Sequence, residues 1–118
     1  MTLEQCLARI EELKVECAEE NWDSYHARPI LVRSCQVAHL LLRLLPSHLL
    51  PPDIYCGNDG VVTFEWLTLI PPAYVDISCS PNGNLICLRN EGIHTTIPFD
   101  GITLPDELVK FISTFYGE

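Results

Sequence analysis

The chain lacks most of what catalytic and metal-binding domains are assembled from. It has no Cys-x-x-Cys, His-x-His or His-Glu-x-x-His spacing, and its four histidines (His26, His39, His48 and His94) fall on four separate segments. The closest Cys/His pair, Cys35 and His39, has the spacing of one helix face. Cys35, however, falls on the apolar stripe and no further ligand stands near it, so no metal is expected. Phosphate cradles of the Gly-x-Gly-x-x-Gly or Gly-x-x-x-x-Gly-Lys-Ser/Thr kind are missing too, the few glycines being placed in turns or at the chain end. Asp23, His26 and a cysteine make a nucleophilic triad only on paper, because no Gly-flanked nucleophile sits at a strand-to-helix turn. No catalytic residue, cofactor or metal ligand is therefore assigned, and an enzyme is not expected.

Long apolar runs are also lacking. The longest candidate, Val37 to Leu50, is interrupted by His39, Arg43, Pro46, Ser47 and His48, far from the ~18–20 apolar residues of a membrane span. Glu4 and Gln5 stand where a secretory signal would continue from a basic into an apolar stretch, so a cytoplasmic protein is expected. In that compartment the six cysteines read as reduced thiols serving as small hydrophobes.

Positive charge is scarce: seven Lys and Arg against sixteen Asp and Glu give a formal net charge of −9. The imbalance is uneven. Met1 to Asp23 carries seven acids, Ser24 to Leu50 carries none, and nine more follow from Pro51. Such a surface repels nucleic-acid phosphates, so direct DNA or RNA binding is not expected. A protein with a basic surface is the natural counterpart. The bland alternative is that the charge only keeps the chain soluble.

What is present reads as one α+β domain spanning residues 1–118. Thr2 and Gln5 form a capping box in front of Leu3, Cys6, Leu7, Ile10, Leu13 and Cys17 at helical spacing. Asn21 to Pro29 is a loop in which Trp22 and Tyr25 are expected to act as pegs on the core. A second helix from about Ile30 to Leu45 is apolar round much of its girth and stops at Pro46. From Ile54 to Phe99 the pattern is a β-meander, counted as four strands. Its turns fall at Gly57–Gly60, a break at Pro71–Pro72, Pro81-Asn82-Gly83 and Asn90–Gly92. Val62, Phe64 and Trp66 alternate with Thr63 and Glu65, and Val75, Ile77 and Cys79 with Tyr74, Asp76 and Ser78, so one sheet face is dry and the other wet. Beyond Pro81–Gly83 either Leu85/Cys87 or Ile86/Leu88 faces inward, because a bulge there would exchange them. Pro105-Asp106-Glu107 opens a last helix with Leu108, Phe111, Ile112 and Phe115 on its buried side. The expected architecture is two helices, an antiparallel four-stranded meander and a C-terminal helix, with all helices on one face.

The segment Asn21-Trp22-Asp23-Ser24-Tyr25-His26-Ala27-Arg28-Pro29 resembles the Asn-Trp-Asp-Gly-Tyr-Gly-Ala…Pro motif of a group of small, uncharacterised bacterial and phage-associated proteins. The similarity runs on through Ala38, Pro51–Pro52, Asp59-Gly60, Glu65-Trp66 and Pro81-Asn82-Gly83. This chain departs from the group at Ser24 and His26, where glycines are usual, and at Leu31, where a capping Ser or Thr is usual. If those glycines supply positive φ, the loop here must differ locally. The resemblance implies the fold and a bacterial or mobile-element origin, and no reaction.

The functional expectation is a non-enzymatic protein-binding module, an inhibitor or neutralising partner of the anti-CRISPR or antitoxin kind. The alternatives are a structural or housekeeping protein with no inhibitory role, homodimerising through a sheet edge or an apolar helix, and a small enzyme. The acids expected to meet the partner are Glu4, Glu11, Glu12, Glu16 and Glu19 on the first helix and Glu65 and Asp76 on the wet sheet face.

Overall fold

The structure, a computed structural model, describes residues 2–47, 49–69 and 72–115. The expected break at Pro71, the setting of His48 and the side chain of Phe115 lie outside the described residues. The elements run α1 (Leu3–Glu16), α2 (Val32–Leu44), β1 (Asp53–Cys56), β2 (Val62–Leu69), β3 (Pro72–Cys79), β4 (Asn84–Arg89), a 3-10 turn (Asn90–Gly92), β5 (Ile93–Pro98) and α3 (Asp106–Phe115). The sheet is an antiparallel meander in the order β1-β2-β3-β4-β5. It has five strands, not the four expected. The fifth is Asp53–Cys56, the short segment before the expected Gly57–Gly60 turn, which pairs with Glu65 to Val62 of β2.

The helices pack against the one dry face. Ile54, Phe64, Ile77 and Cys87 form one cross-strand row there, and Cys56, Val62, Cys79, Leu85 and Ile97 the next, all buried. Leu85 and Cys87 therefore point inward, Leu85 standing opposite Cys79 across a Pro81–Gly83 turn that Gly83 closes at a φ of 89°. Cys6, Ile10 and Leu13 of α1 and Cys35, Val37, Ala38, Leu41 and Leu42 of α2 complete the core, with Leu108 and Ile112 of α3. All six thiols are buried. Desolvation pushes Cys56 and Cys87 up to about 12, which makes both poor nucleophiles at neutral pH.

The capping box of α1 forms as read: Thr2 Oγ1 accepts from the Gln5 N–H at 3.1 Å and Gln5 Oε1 accepts from the Thr2 N–H at 2.7 Å. Leu3, expected on the buried stripe, is 47% exposed. Helix α2 begins two residues later than expected, after Leu31, which provides no side-chain cap. Its backbone is held instead by the β1–β2 turn, through Leu31 N–H to Gly60 C=O and Arg28 N–H to Asn58 C=O, both 2.9 Å. A Cβ at Gly60 would run into the Pro29 carbonyl, so this approach requires glycine.

The Asn21–Pro29 loop overturns one expectation and sharpens another. Tyr25 is no peg; it is 83% exposed. Trp22 is half-buried against the core and donates its Nε1–H to the Arg28 carbonyl at 2.7 Å. Asp23 Oδ1 accepts from the Tyr25 and Ala27 N–H groups (2.8 and 3.1 Å), and Asn21 Oδ1 from His26 N–H at 2.7 Å. Asp23 thus organises its own loop. The expected local departure at the two missing glycines does not occur: Ser24 and His26 take φ of 64° and 65°, the left-handed values that favour glycine. Left-handed backbone costs an L-residue ~1–2 kcal/mol, and glycine returns part of that gain as unfolded-chain entropy. Ser24→Gly and His26→Gly should each stabilise by about 0.5 kcal/mol, measured by urea denaturation, whereas destabilisation by either would show that the loop carries no strain there.

Candidate functional site

The expected partner-binding acids fall on two different layers. Glu4, Glu11, Glu12 and Glu16 lie on α1, on the helix side, whereas Glu19, expected on the same helix, falls beyond its end at Glu16. There Arg9 Nη1 pairs with Glu12 and Glu16 at 3.1 Å each, and its Nε–H reaches the Ile54 carbonyl of β1 at 3.3 Å. Glu11 accepts from Lys14 Nζ at 2.9 Å and sits 3.1 Å from His39 Nε2. Those two contacts hold its carboxyl below the usual range. Glu11, Glu12 and Glu16 are thus partly neutralised within the molecule, while Glu4 and Glu19 stand exposed.

Glu65 and Asp76 behave differently. They are direct cross-strand partners on the wet face, in the row Asp53–Glu65–Asp76–Leu88–His94. The adjoining row is Tyr55–Thr63–Ser78–Ile86–Thr96, and Leu67 pairs with Tyr74 beyond the acids. Leu67 (54% exposed), Ile86 (48%) and Tyr55 (37%) thus surround two carboxylates on a face that no helix covers. Sequence reasoning picked out the acids but missed this apolar frame. Its signal was the same period-two alternation, whose wet positions here include Leu67 and Ile86.

Asp76 is the unusual member of the face. Its Oδ1 is buried and has no hydrogen-bond donor, while Oδ2 receives the Tyr55 hydroxyl at a long 3.5 Å. Its cross-strand neighbour is the Glu65 carboxylate, and two carboxylates can bond only by sharing a proton. Burial and then Glu65 push the Asp76 carboxyl up to about 6. Burial, reinforced by Asp76 and Glu65, moves Tyr55 up to about 12, so its hydroxyl stays protonated at neutral pH.

One further concavity, about 510 Å³, lies between α2 and the turns at Gly83 and Gly101 and includes Lys14, Arg33 and His39 in its lining. These groups are already engaged, Lys14 and His39 with Glu11 and Arg33 with Gln36. Among the described residues there is no group of three or more His, Cys, Asp or Glu side chains that could hold a metal ion. Nor is any helix among them long and apolar enough to cross a membrane. Compared with protein-family models, curated proteins and solved structures, the chain matches none.

Proposed function

We propose that the chain is a non-enzymatic binding module that docks another protein on the uncovered face of its sheet, with inhibition or neutralisation of that partner as the outcome. The observation that supports this most is the Asp76–Glu65 pair: a buried oxygen without a donor, beside a second carboxylate, inside a frame of exposed apolar side chains. A carboxylate buried without a donor is costly. An Arg or Lys from a partner would provide both the donor and the counter-charge, and Leu67, Ile86 and Tyr55 would provide apolar contact around it. The net charge of −9 favours the same class of partner, a protein with a basic surface.

The test uses an arginine-rich peptide as probe, titrated into the protein and followed by amide NMR shifts. Shifts centred on Tyr55, Glu65 and Asp76 are expected, falling off as salt rises to ~0.5 M. They should also weaken below about pH 6, as Asp76 gains its proton. The Glu65→Gln/Asp76→Asn double variant should lose most of this binding while keeping its circular dichroism. Shifts confined to Glu4, Glu19 and their neighbours, or binding unaltered in the double variant, would reject the sheet face.

A further inference from the structure

The two edges of the sheet are treated differently. Edge β1 is guarded by several of the devices that keep strands from pairing with other chains. It is only four residues long, follows Pro51–Pro52 and carries Asp53. Its outward Ile54 carbonyl is bonded by Arg9. Edge β5, Ile93–Pro98, has six residues and, among the described residues, is the only strand without an Asp, Glu, Lys or Arg, in a chain of net charge −9.

The hydrogen-bond phase shows which groups β5 offers. Phe99 N–H donates to the Gly83 carbonyl at 3.0 Å, directly beyond the Asn84–Pro98 pair. Bonded pairs in an antiparallel ladder recur at every second residue. Leu85–Ile97, Cys87–Thr95 and Arg89–Ile93 therefore bond inward, and His94, Thr96 and Pro98 turn their backbone groups outward. Proline fits that position, since only an outward N–H can be lost without breaking the ladder. Among the described residues no side chain or backbone group bonds His94 or Thr96 on that outer side, and both are exposed.

We infer that β5 is a self-association edge whose occupant is the β5 of a second copy of this chain. Pairing is antiparallel about a two-fold axis normal to the sheet, with His94 opposite the partner's Thr96, so that the two sheets become one. The same operation keeps both uncovered faces on one side, with the acid pairs on β2 and β3 away from the seam. No Asp, Glu, Lys or Arg on either β5 opposes the contact, which singles out this edge for like-with-like pairing. An edge contact buries little area, so the dimer is weak and concentration-dependent. Screening of the −9 charges strengthens it, whereas docking of a basic partner on the sheet face is weakened by salt.

Sedimentation velocity from ~10 µM to ~1 mM, at low and high salt, reads this directly, because weak edge contacts correspond to dissociation constants in that range. The parent should shift from monomer towards dimer with concentration, more so at ~0.5 M salt. Thr96→Pro, which removes an outward donor, should raise the dissociation constant at least tenfold, while Thr96→Ala leaves it unchanged. Should Thr96→Pro lose its native circular dichroism, His94→Lys/Thr96→Lys puts like charges at the seam and should have the same effect. A parent that stays monomeric throughout, or a folded proline or lysine variant that dimerises like the parent, overturns the inference.

Discussion

Ser34→Ala should lower the unfolding free energy by about 2–4 kcal/mol, the largest effect expected from removing a single atom in this protein. Ser34 is fully buried on α2, at the end of the β2–β3 ladder. Its hydroxyl donates to the Cys79 carbonyl at 2.6 Å and accepts from the Val62 N–H at 2.7 Å. One oxygen thus ties the central helix to two strands. Alanine would leave a buried donor and a buried acceptor short of a partner, at ~1–3 kcal/mol each. The melting midpoint should drop by roughly 10 °C, since 1 kcal/mol moves a domain of this size by several degrees. Ser47→Ala, at an exposed position, should stay within about 0.5 kcal/mol of the parent and serves as the control. A Ser34→Ala protein that unfolds with the parent in urea would mean that the ladder closes without the hydroxyl.

Asp76→Asn should do the reverse and stabilise the protein at pH 7–8. The Asp76 carboxyl is raised from 3.8 to about 6 in the folded chain, by burial first and Glu65 second. Between those two values the folded state holds more protons than the unfolded one, so parent stability falls as pH rises through the window. At pH 7 the ionised pair costs about 1–2 kcal/mol, discounted because water reaches the open face. The amide carries no charge beside Glu65 and can donate to it, so the variant should be more stable by that amount at pH 7–8. It should also show little change in stability between pH 4 and 6 from this site. Urea denaturation at half-unit pH steps measures both, and a parent whose stability rises from pH 5 to 7 by the Asp76 contribution would refute it. Stability gained by deleting an unfavourable charge is what a binding site held ready for a cation predicts. The same substitution should therefore weaken the arginine-rich probe.

Much of the architecture is written in short-range code. A capping hydroxyl, a 3.6-residue apolar period, a proline after the last helical turn and a Pro-Asn-Gly corner each act within a few residues. Hence α1, the end of α2 near Pro46, the hairpin at Gly83 and the first turn of α3 were legible, as was the dry/wet alternation of β2 and β3. The inward set Val62, Phe64, Trp66, Val75, Ile77 and Cys79 and the outward pair Glu65 and Asp76 lie as that alternation requires.

Tertiary structure decided whatever depends on residues far apart in the chain. Leu85 rather than Ile86 turns inward because β3 sets the register. Tyr25 is exposed although it is aromatic, since the loop closes on Asp23 and Asn21 instead of on its ring. Ser24 and His26 hold glycine-like backbone because bonds from Asn21, Asp23 and Trp22 over-determine the loop. The acids show the same division. Composition determined that the chain is strongly negative, and helical spacing alone sets Glu12 and Glu16 beside Arg9 and Glu11 beside Lys14, but only packing brought His39 to Glu11. Only the β2–β3 register brought Glu65 and Asp76 together, on the one sheet face that helices leave open. Charge and period are properties of neighbours in sequence; desolvation and pairing belong to neighbours in space, and those arise only once the chain has folded.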